Sequence, residues 1–261
     1  MNMHIIATTP QSVADIDQDF AQFLKDSGFP FAARKKKSLE CLLRENNAQG
    51  VVVWLSEGPV LYCGPEKFFF HPSMAKNRLA SFRKFSVPDP MVKACALQDN
   101  DSFLDCTLGL GADAIVASYF CPSGKVRGLE SSPAIAGIVK WGMKLYNSQI
   151  RWLNEAIKRI EVINCDHGQY LREQKDNSYD IVYFDPMFRK PLMKSKAIGP
   201  LRLLANPLPL EKKVIEEACR VARKRVVVKE MPSGSEFSRL GIEKVIGSRH
   251  NKIAFGIIDI C

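Results

Sequence analysis

The chain has 261 residues, of which 46% are hydrophobic and 25% are charged. This composition is ordinary for a packed protein and argues against a disordered chain, and no apolar run reaches the ~18 residues of a membrane span. We expect a soluble, cytoplasmic protein with no membrane partner, because the N-terminus also lacks the basic and apolar segments of a secretory signal. The net charge of +9 favours polyanionic partners such as nucleic acid but does not specify one.

The eight cysteines are scattered along the chain, with no paired CxxC spacing and no neighbouring histidine cluster. Structural zinc sites need such closely spaced ligands. We therefore expect reduced, mostly buried cysteines, no disulfide and no metal site.

The first part of the chain has the pattern of a small α+β unit. Residues 5–7 form an apolar run that favours a short strand, and residues 12–25 have helical spacing of apolar side chains. Residues 51–55 and 60–62 are apolar runs on either side of Ser-Glu-Gly-Pro, which is typical of a hairpin. The prolines of residues 87–90 then indicate a connector. We predict an N-terminal module over residues 1–88 and a second domain over residues 89–261.

The second part alternates strands and helices. Strands are expected at residues 102–106, 125–130, 161–166, 180–185, 225–229 and 252–260, and helices at 112–120, 151–159 and 210–222. A further helix is expected after Ser131-Ser132-Pro133, where a serine can cap and proline suits the first turn. Such alternation predicts an α/β fold with a doubly wound, mostly parallel sheet, whose ligands bind at the carboxyl ends of the strands.

The first strand ends in Asp105 and a turn containing Gly109 and Gly111. Glycines let the backbone turn tightly and approach a ligand closely. Ala114 stands where the dinucleotide fingerprint needs a third glycine, which disfavours a nicotinamide-dependent dehydrogenase. The Asp105 carboxylate would repel a pyrophosphate but could hold an ammonium group. The alternative is an ordinary strand-to-helix turn with no ligand.

The second and third strands also end in acidic residues, Glu130 and Asp166. Glu130 lies roughly twenty residues beyond the glycines, where a carboxylate can accept hydrogen bonds from ribose hydroxyls. Asp166 could accept from an adenine amino group. The alternative for Glu130 is a solvated side chain near a helix N-terminus. His167 is interpreted as a loop histidine and not as a catalyst.

The fourth strand ends in Asp185-Pro186-Met187-Phe188. An exocyclic amine on a base is a poor nucleophile, and the Asp185 carboxylate and Pro186 carbonyl can assist it by accepting its N–H protons. Phe188 offers a ring on which an unpaired base can stack, worth ~1–3 kcal/mol. We therefore predict that Asp185, Pro186 and Phe188 are catalytic. The alternative is a proline turn with a core aromatic.

Through residues 105–113, Glu130, Asp166 and the Asp-Pro-x-Phe tetrapeptide, the sequence resembles class I S-adenosylmethionine-dependent methyltransferases over most of residues 89–261. The resemblance implies S-adenosylmethionine as cofactor and a Rossmann-like, mostly parallel seven-stranded sheet of order 3-2-1-4-5-7-6 with the last strand antiparallel. The cofactor-binding residues are then predicted at the strand ends and the first helix: Asp105, Thr107, Gly109, Gly111, Ala112, Asp113, Glu130, Ser131, Asp166 and Asp185.

Asp-Pro-Met-Phe, together with Gly-Leu-Gly-x-Asp-Ala, looks closest to the ribosomal RNA small-subunit methyltransferase J family. That family methylates the N2 amino group of a guanine in ribosomal RNA. One departure is that Arg189 and Lys190 follow the tetrapeptide where the family usually has proline. The N-terminal part looks more like an uncharacterised bacterial branch of methyltransferases with Arg-Lys-Lys-Lys-Ser-Leu and Phe-Phe-His-Pro-x-Met-Ala segments. The resemblance therefore implies the cofactor more directly than the substrate.

Basic residues near aromatic ones are candidates for RNA contacts. They are Arg34 and Lys36 in a basic run, His71 and Lys76 around three phenylalanines, and Arg189 and Lys190 at the start of a basic loop over residues 189–202. Each could instead be a solvated surface charge. The favoured function is methylation of an exocyclic amino group, guanine N2, of ribosomal or other RNA. The alternatives are a small-molecule methyltransferase of the same fold and a non-catalytic RNA-binding or ribosome-assembly protein; the oligomeric state stays open.

Overall fold

The computed structural model describes residues 3–13, 16–186, 204, 206, 208–232, 235–247 and 253–260. The strands are β1 (Ile5–Thr8), β2 (Gly50–Leu55), β3 (Gly58–Cys63), β4 (Glu66–Phe69), β5 (Ser102–Asp105), β6 (Lys125–Glu130), β7 (Ile160–Asn164), β8 (Tyr179–Phe184), β9 (Ala222–Glu230), β10 (Lys244–Ile246) and β11 (Ala254–Asp259). The helices are α1 (Gln18–Ser27), α2 (Leu39–Glu45), α3 (Ser73–Phe85), α4 (Pro90–Cys95), α5 (Ala112–Phe120), α6 (Pro133–Leu145), α7 (Arg151–Lys158), α8 (His167–Glu173), α9 (Lys212–Val221) and α10 (Glu236–Leu240). Within these ranges no helix has the length and apolar character needed to cross a bilayer.

The N-terminal strands form a four-stranded sheet in the order β1-β2-β3-β4. Strand β1 runs parallel to β2, and the other neighbours are antiparallel. The predicted hairpin is confirmed, because Leu55 pairs with Gly58 across the turn between β2 and β3.

Helix α1 begins later than the spacing of residues 12–25 predicts. The Asp17 carboxylate accepts a hydrogen bond from the Phe20 amide at 2.6 Å and caps a helix that starts at Gln18. A side-chain acceptor at this position satisfies an amide that has no partner within the helix, so the cap fixes the start. Residues 11 and 12 lie in a turn instead.

The three consecutive phenylalanines, residues 68–70, lie at the end of strand β4. The sequence patterns did not predict this strand. Phe68 and Phe70 are buried, whereas Phe69 exposes 43% of its surface. Successive side chains of a strand point to opposite faces, which explains this alternation. Two of the three phenylalanines therefore belong to the core.

The second sheet has seven strands in the order β10-β11-β9-β8-β5-β6-β7. Counted from β5, this is the predicted order, and β11 is antiparallel to both of its neighbours. Strands β5 to β9 are parallel to one another where they pair, and every residue of β8 is buried. The Rossmann-like fold class is therefore confirmed.

One hydrophobic core runs from the four-stranded sheet into the seven-stranded domain. Trp54 of β2 packs edge-on against Trp141 of α6, with ring centroids 5.4 Å apart. A Cβ on Gly142 of α6 would lie 2.2 Å from the Cβ of Phe70, so only glycine allows this close approach. Helix α6 thus joins the two sheets, and the boundary at residue 88 stays a prediction about the chain.

Three helices begin at the carboxyl edge of the central strands. Helix α5 starts after Gly111, whose φ of 73° lies in the left-handed region. Ser132 caps α6 and Asp166 caps α8, each through a side-chain oxygen that accepts from a backbone amide of the first turn. The cap before Pro133 confirms the predicted helix start. Helix N-termini carry partial positive charge, so this edge of the sheet favours anionic and hydrogen-bond-accepting groups.

Candidate active site

The ends of strands β5 and β6 are joined by the Glu130 side chain. One carboxylate oxygen accepts from the Gly109 amide at 3.2 Å, and the other accepts from the Ser132 amide at 2.8 Å. Glu130 is 8% exposed, and burial raises the pKa of its carboxyl, while hydrogen bonds from Ser132, Gly109 and Ser131 oppose that rise. The carboxylate is thus held in a fixed orientation beside the glycine turn.

The glycine turn between β5 and α5 is a close-packed cradle. Gly109 and Gly111 both have positive φ, at 50° and 73°. A Cβ on Gly111 would lie 2.3 Å from the Cε of Met143, so that side chain would have to move, and the positive φ of Gly111 would strain any other residue here. The predicted role of these glycines in forming a tight turn agrees with this geometry.

Asp105 is a buried acid at the end of β5. Its carboxylate accepts from the Thr107 amide at 3.0 Å, and no lysine or arginine in the described ranges forms an ion pair with it. Burial raises its pKa well above the ordinary value, and the negative charge of Asp113 raises it further. A positively charged group bound nearby would stabilise the ionised form.

Thr107 connects this first strand end to the fourth. Its hydroxyl oxygen accepts from the Asp185 amide at 2.6 Å. The backbone at Asp185 is therefore fixed to the loop that carries the glycines. The two predicted halves of the site, the cofactor turn and the Asp-Pro segment, are adjacent in the structure.

The third strand end contributes Asp166, whose carboxylate accepts from the Gln169 amide at 3.0 Å as the cap of α8. Its predicted contact with an adenine amino group stays a prediction. His167 packs edge-on against Phe184, with ring centroids 5.8 Å apart, and burial lowers the pKa of its imidazole. This packing agrees with the interpretation that His167 is not a catalyst.

A buried lysine lies at the fourth strand end. The Lys229 ammonium of β9 is 2.7 Å from an Asp185 carboxylate oxygen and 2.9 Å from an Asp113 oxygen. The Lys229 side chain is 12% exposed and that of Asp185 is 30% exposed. Asp185 is therefore accessible from solvent, whereas the lysine that holds it is not.

Asp113 lies at the centre of a wider ion network. Besides Lys229, it accepts from the Tyr183 hydroxyl at 2.9 Å and pairs with the Arg78 guanidinium. Arg78 also makes a two-pronged pair with Asp89, with both N–O distances at 2.8 Å. The predicted contact between Asp113 and the cofactor stays a prediction, and its carboxylate oxygens already accept from these three partners.

The two acids beside Lys229 differ in pKa. Burial raises the pKa of Asp185 to about 6, an effect that Lys229 opposes and the charge of Asp113 reinforces. Burial also favours the neutral form of Asp113, but Lys229 and Arg78 outweigh it and hold the pKa of Asp113 below its ordinary value. Burial works against the charge of Lys229, yet the two acids raise its pKa. Asp113 is thus firmly ionised, and Asp185 is the acid that titrates nearer neutrality.

The donor set fits S-adenosylmethionine. Glu130 beside the glycine turn would hold ribose hydroxyls, and Asp105, which forms no ion pair with a described residue, would hold the positively charged amino-acid part. The left-handed glycines leave room for a ligand to approach the backbone. When bound, this cofactor supplies an electrophilic methyl group on a sulfonium centre. Among the described residues no cluster of His, Cys, Asp and Glu side chains has an arrangement that could hold a metal.

The predicted substrate contacts are only partly described. Lys36 and Lys76 are exposed, and Arg34 and His71 are half-buried. No hydrogen bond or ion pair between described residues joins these four to the strand ends. Phe188, Arg189 and Lys190 lie outside the described residues, whereas Pro186 directly follows Asp185 at the edge of the site.

Lys229, Tyr183 and Arg78 are the site residues that the sequence patterns did not identify. Lys229 follows three consecutive valines in β9. A lysine at the carboxyl end of a buried strand is the sequence signal that could have identified it as a site residue. Arg78 lies two residues after Lys76, one of the predicted substrate contacts. Its 24% exposed side chain and two acidic partners place it inside the network.

Similar proteins show the family to which the chain belongs. Residues 70–252 match a family model described as "Putative SAM-dependent methyltransferase", where SAM is S-adenosylmethionine. The chain is 38% identical to the uncharacterised protein YpiP of Bacillus subtilis, over 91% of this chain and 92% of that protein. It is 32% identical to ribosomal RNA small subunit methyltransferase J of Hydrogenovibrio crunogenus, over 54% of this chain and 51% of that protein. The chain thus spans about half the length of that relative.

A solved SAM-dependent methyltransferase from Neisseria gonorrhoeae has the same fold. It superposes with a TM-score of 0.62 and 18% identity, covering 96% of this chain and 94% of the other. The match to the family model covers more than half of the sequence and includes all four strand ends. The chain therefore belongs to the family of SAM-dependent methyltransferases and uses S-adenosylmethionine as its methyl donor.

Proposed function

We propose that this methyltransferase acts on an exocyclic amino group of RNA, guanine N2 of ribosomal RNA in particular. The observation that carries the proposal is the position of Asp185 and Pro186. The Asp185 carboxylate is partly exposed, and the backbone amide of Asp185 donates to the hydroxyl of Thr107 in the predicted cofactor loop. An acceptor of amine protons therefore lies beside the predicted methyl donor.

The chemistry needs positioning more than a strong base. The lone pair of an exocyclic amine is delocalised into the ring, so the nitrogen gains nucleophilicity when its N–H groups donate to fixed acceptors. The Asp185 carboxylate and Pro186 carbonyl supply two such acceptors. In the proposed reaction the nitrogen would take the electrophilic methyl group that the bound cofactor supplies, with the electron pair of the broken carbon–sulfur bond left on sulfur. The methylated amine would then release one proton to water.

Two observations support RNA as the class of substrate. The net charge of +9 favours a polyanion, because lysine and arginine contacts to phosphates supply most sequence-independent affinity. Several relatives are named ribosomal RNA small subunit methyltransferase J, at 26–32% identity over part of the chain. The predicted contacts Arg34, Lys36, His71 and Lys76 belong to this proposal, as do Phe188, Arg189 and Lys190.

The cofactor site is tested by calorimetry with S-adenosylhomocysteine. We expect wild-type protein to bind it and Glu130→Ala to lose at least tenfold in affinity, because two ribose hydroxyls lose their acceptor. Glu161→Ala is the matched control, since Glu161 is also a strand carboxylate but pairs with Arg127 on the surface. Equal affinity of Glu130→Ala and wild type would contradict the assigned pocket.

The substrate is tested with small-subunit ribosomal RNA from cells that lack this gene. Purified protein and radiolabelled S-adenosylmethionine should transfer methyl groups to that RNA, and nucleoside mass spectrometry should find them on guanine N2. Asp185→Asn should lower the single-turnover rate by about 100-fold or more while S-adenosylhomocysteine still binds. Methylation of the RNA at a carbon or ribose oxygen would overturn the amine assignment. No transfer to any RNA would overturn the substrate class.

A further inference from the structure

The side chains around Asp185 form a continuous row of alternating charge. Arg78 pairs with Asp113, Asp113 lies 2.9 Å from Lys229, and Lys229 lies 2.7 Å from Asp185. The Asp113 and Lys229 side chains are 7% and 12% exposed, so water screens these charges weakly. The row begins on α3 and ends at the residue proposed to receive the target amine.

The charges in this row are unequally shared. Asp113 has two cationic partners, Arg78 and Lys229, as well as the Tyr183 hydroxyl. Lys229 is the only cation paired with Asp185 in the described ranges. Lys229 therefore attracts the Asp185 charge, while the nearby Asp113 charge repels it.

The geometry also divides the two oxygens of Asp185. Lys229 donates to Oδ2, and the Asp185 amide donates to the Thr107 hydroxyl. No described residue donates to the other carboxylate oxygen, and the side chain is 30% exposed, so that oxygen is the one we assign to a ligand. A buried ion pair is weak evidence for a purely stabilising role, because an apolar replacement is often as stable.

We propose that Lys229 and Asp113 are positioning residues for Asp185, with Lys229 holding one carboxylate oxygen so that the other faces the target amine. Asp113 moderates this hold by competing for the same ammonium. The role of Asp185 in this proposal rests on the proposed function. The raised pKa of Asp185 fits this balance, since burial and Asp113 raise it and Lys229 opposes them.

The test is a carboxyl ¹³C NMR titration of the full chain labelled at aspartate Cγ, with the Asp185 resonance assigned from Asp185→Asn. Lys229→Met should raise the titration midpoint of Asp185 by about one pH unit or more, a tenfold change in its ionisation constant. Asp113→Asn should move the midpoint in the opposite direction, because it removes a repelling charge while Arg78 keeps Asp89 as a partner. Shifts of opposite sign would show that Lys229 stabilises the ionised form of Asp185 and that Asp113 opposes this effect.

Lys224→Met is the matched control, because Lys224 is a second ion-paired lysine of β9 at the other end of the strand. It should leave the Asp185 midpoint unchanged. An unmoved midpoint in Asp113→Asn, or a shift of the same sign as in Lys229→Met, would overturn the proposal. If Lys229→Met does not fold, the Asp185 midpoint in Asp113→Asn alone tests the proposal.

The titration separates this proposal from the proposed function, because it needs no substrate. If the protein shows both shifts but methylates no RNA, the proposed roles of Lys229 and Asp113 would stand and the proposed RNA substrate would be wrong. If RNA is methylated, the acidic limb of the rate against pH should shift upward in Lys229→Met and downward in Asp113→Asn. If both variants methylate RNA and neither the acidic limb of the pH–rate profile nor the titration midpoint of Asp185 moves, only the proposed roles of Lys229 and Asp113 would be wrong.

Discussion

The two ends of strand β9 carry the same kind of ion cluster in different surroundings. At the amino end, Lys224 pairs with Asp101 and lies 3.6 Å from Asp180. At the carboxyl end, Lys229 bridges Asp113 and Asp185. In each cluster a lysine of β9 lies between two aspartates, one of which belongs to β8 or directly follows it.

Burial and the number of donors separate the two clusters. Lys224 exposes 49% of its side chain, against 12% for Lys229. Asp180 also accepts from Arg223 at 2.7 Å and from the Ser102 hydroxyl at 2.7 Å, and these hydrogen bonds hold its pKa below the ordinary value. The pKa of Asp185 is raised instead, to about 6. The same types of ion therefore keep Asp180 ionised at one end of β9, whereas at the other end they leave Asp185 with a pKa near neutrality.

The largest expected difference is in the cost of removing each lysine. Lys229→Met leaves two acids without their shared cation in a buried place, and we expect a loss of about 3–5 kcal/mol in the free energy of unfolding. Lys224→Met should cost about 1–2 kcal/mol, because Lys224 is half exposed and Arg223 still holds Asp180. Urea unfolding at neutral pH measures both. Equal losses would show that burial does not distinguish the two clusters.

The two aspartates should respond to pH with opposite sign. Asp180 has a depressed folded-state pKa, so it stabilises the fold above about pH 4 and loses this effect as pH falls below its ordinary value of 3.8. Asp180→Asn should cost about 2 kcal/mol at neutral pH and progressively less as the pH falls below 3.8. Asp185 has a raised folded-state pKa, so wild type should lose stability relative to Asp185→Asn as pH rises from 3.8 to about 6. Urea unfolding over pH 3–8 is the measurement, and parallel curves for the two variants would contradict the assignment.

The smallest expected effect concerns two tyrosines of β8. The Tyr183 hydroxyl donates to Asp113, whereas the Tyr179 hydroxyl contacts Arg127 and Tyr170 away from the site. Each change to phenylalanine should cost about 1 kcal/mol in unfolding free energy. Only Tyr183→Phe should shift the ¹³C titration midpoint of Asp185, because it removes a hydrogen-bond donor from the Asp113 carboxylate. A shift in both variants would show that the midpoint reports general loosening of β8.

Much of the second domain follows from local sequence patterns. Helix α5 and strand β6 have the bounds that the local pattern predicts, whereas the order of the sheet is the one that the family resemblance implies. Parallel strands buried on both faces have long apolar runs that stand out in a sequence. The N-terminal module was harder, because β4 is short and the start of α1 depends on the Asp17 cap.

By itself, the sequence determined which acidic residues follow the central strands and which glycines precede α5. The strand-end position alone brought Asp105, Glu130 and Asp185 to one edge of the sheet, since parallel strands all end there. Only the tertiary structure determined the partners of Asp185. Arg78, Asp113 and Lys229 come from α3, α5 and β9 and are separated by 35 and 116 residues in the chain. No local pattern encodes such a meeting of charges, because it arises from the packing of elements that are distant in sequence.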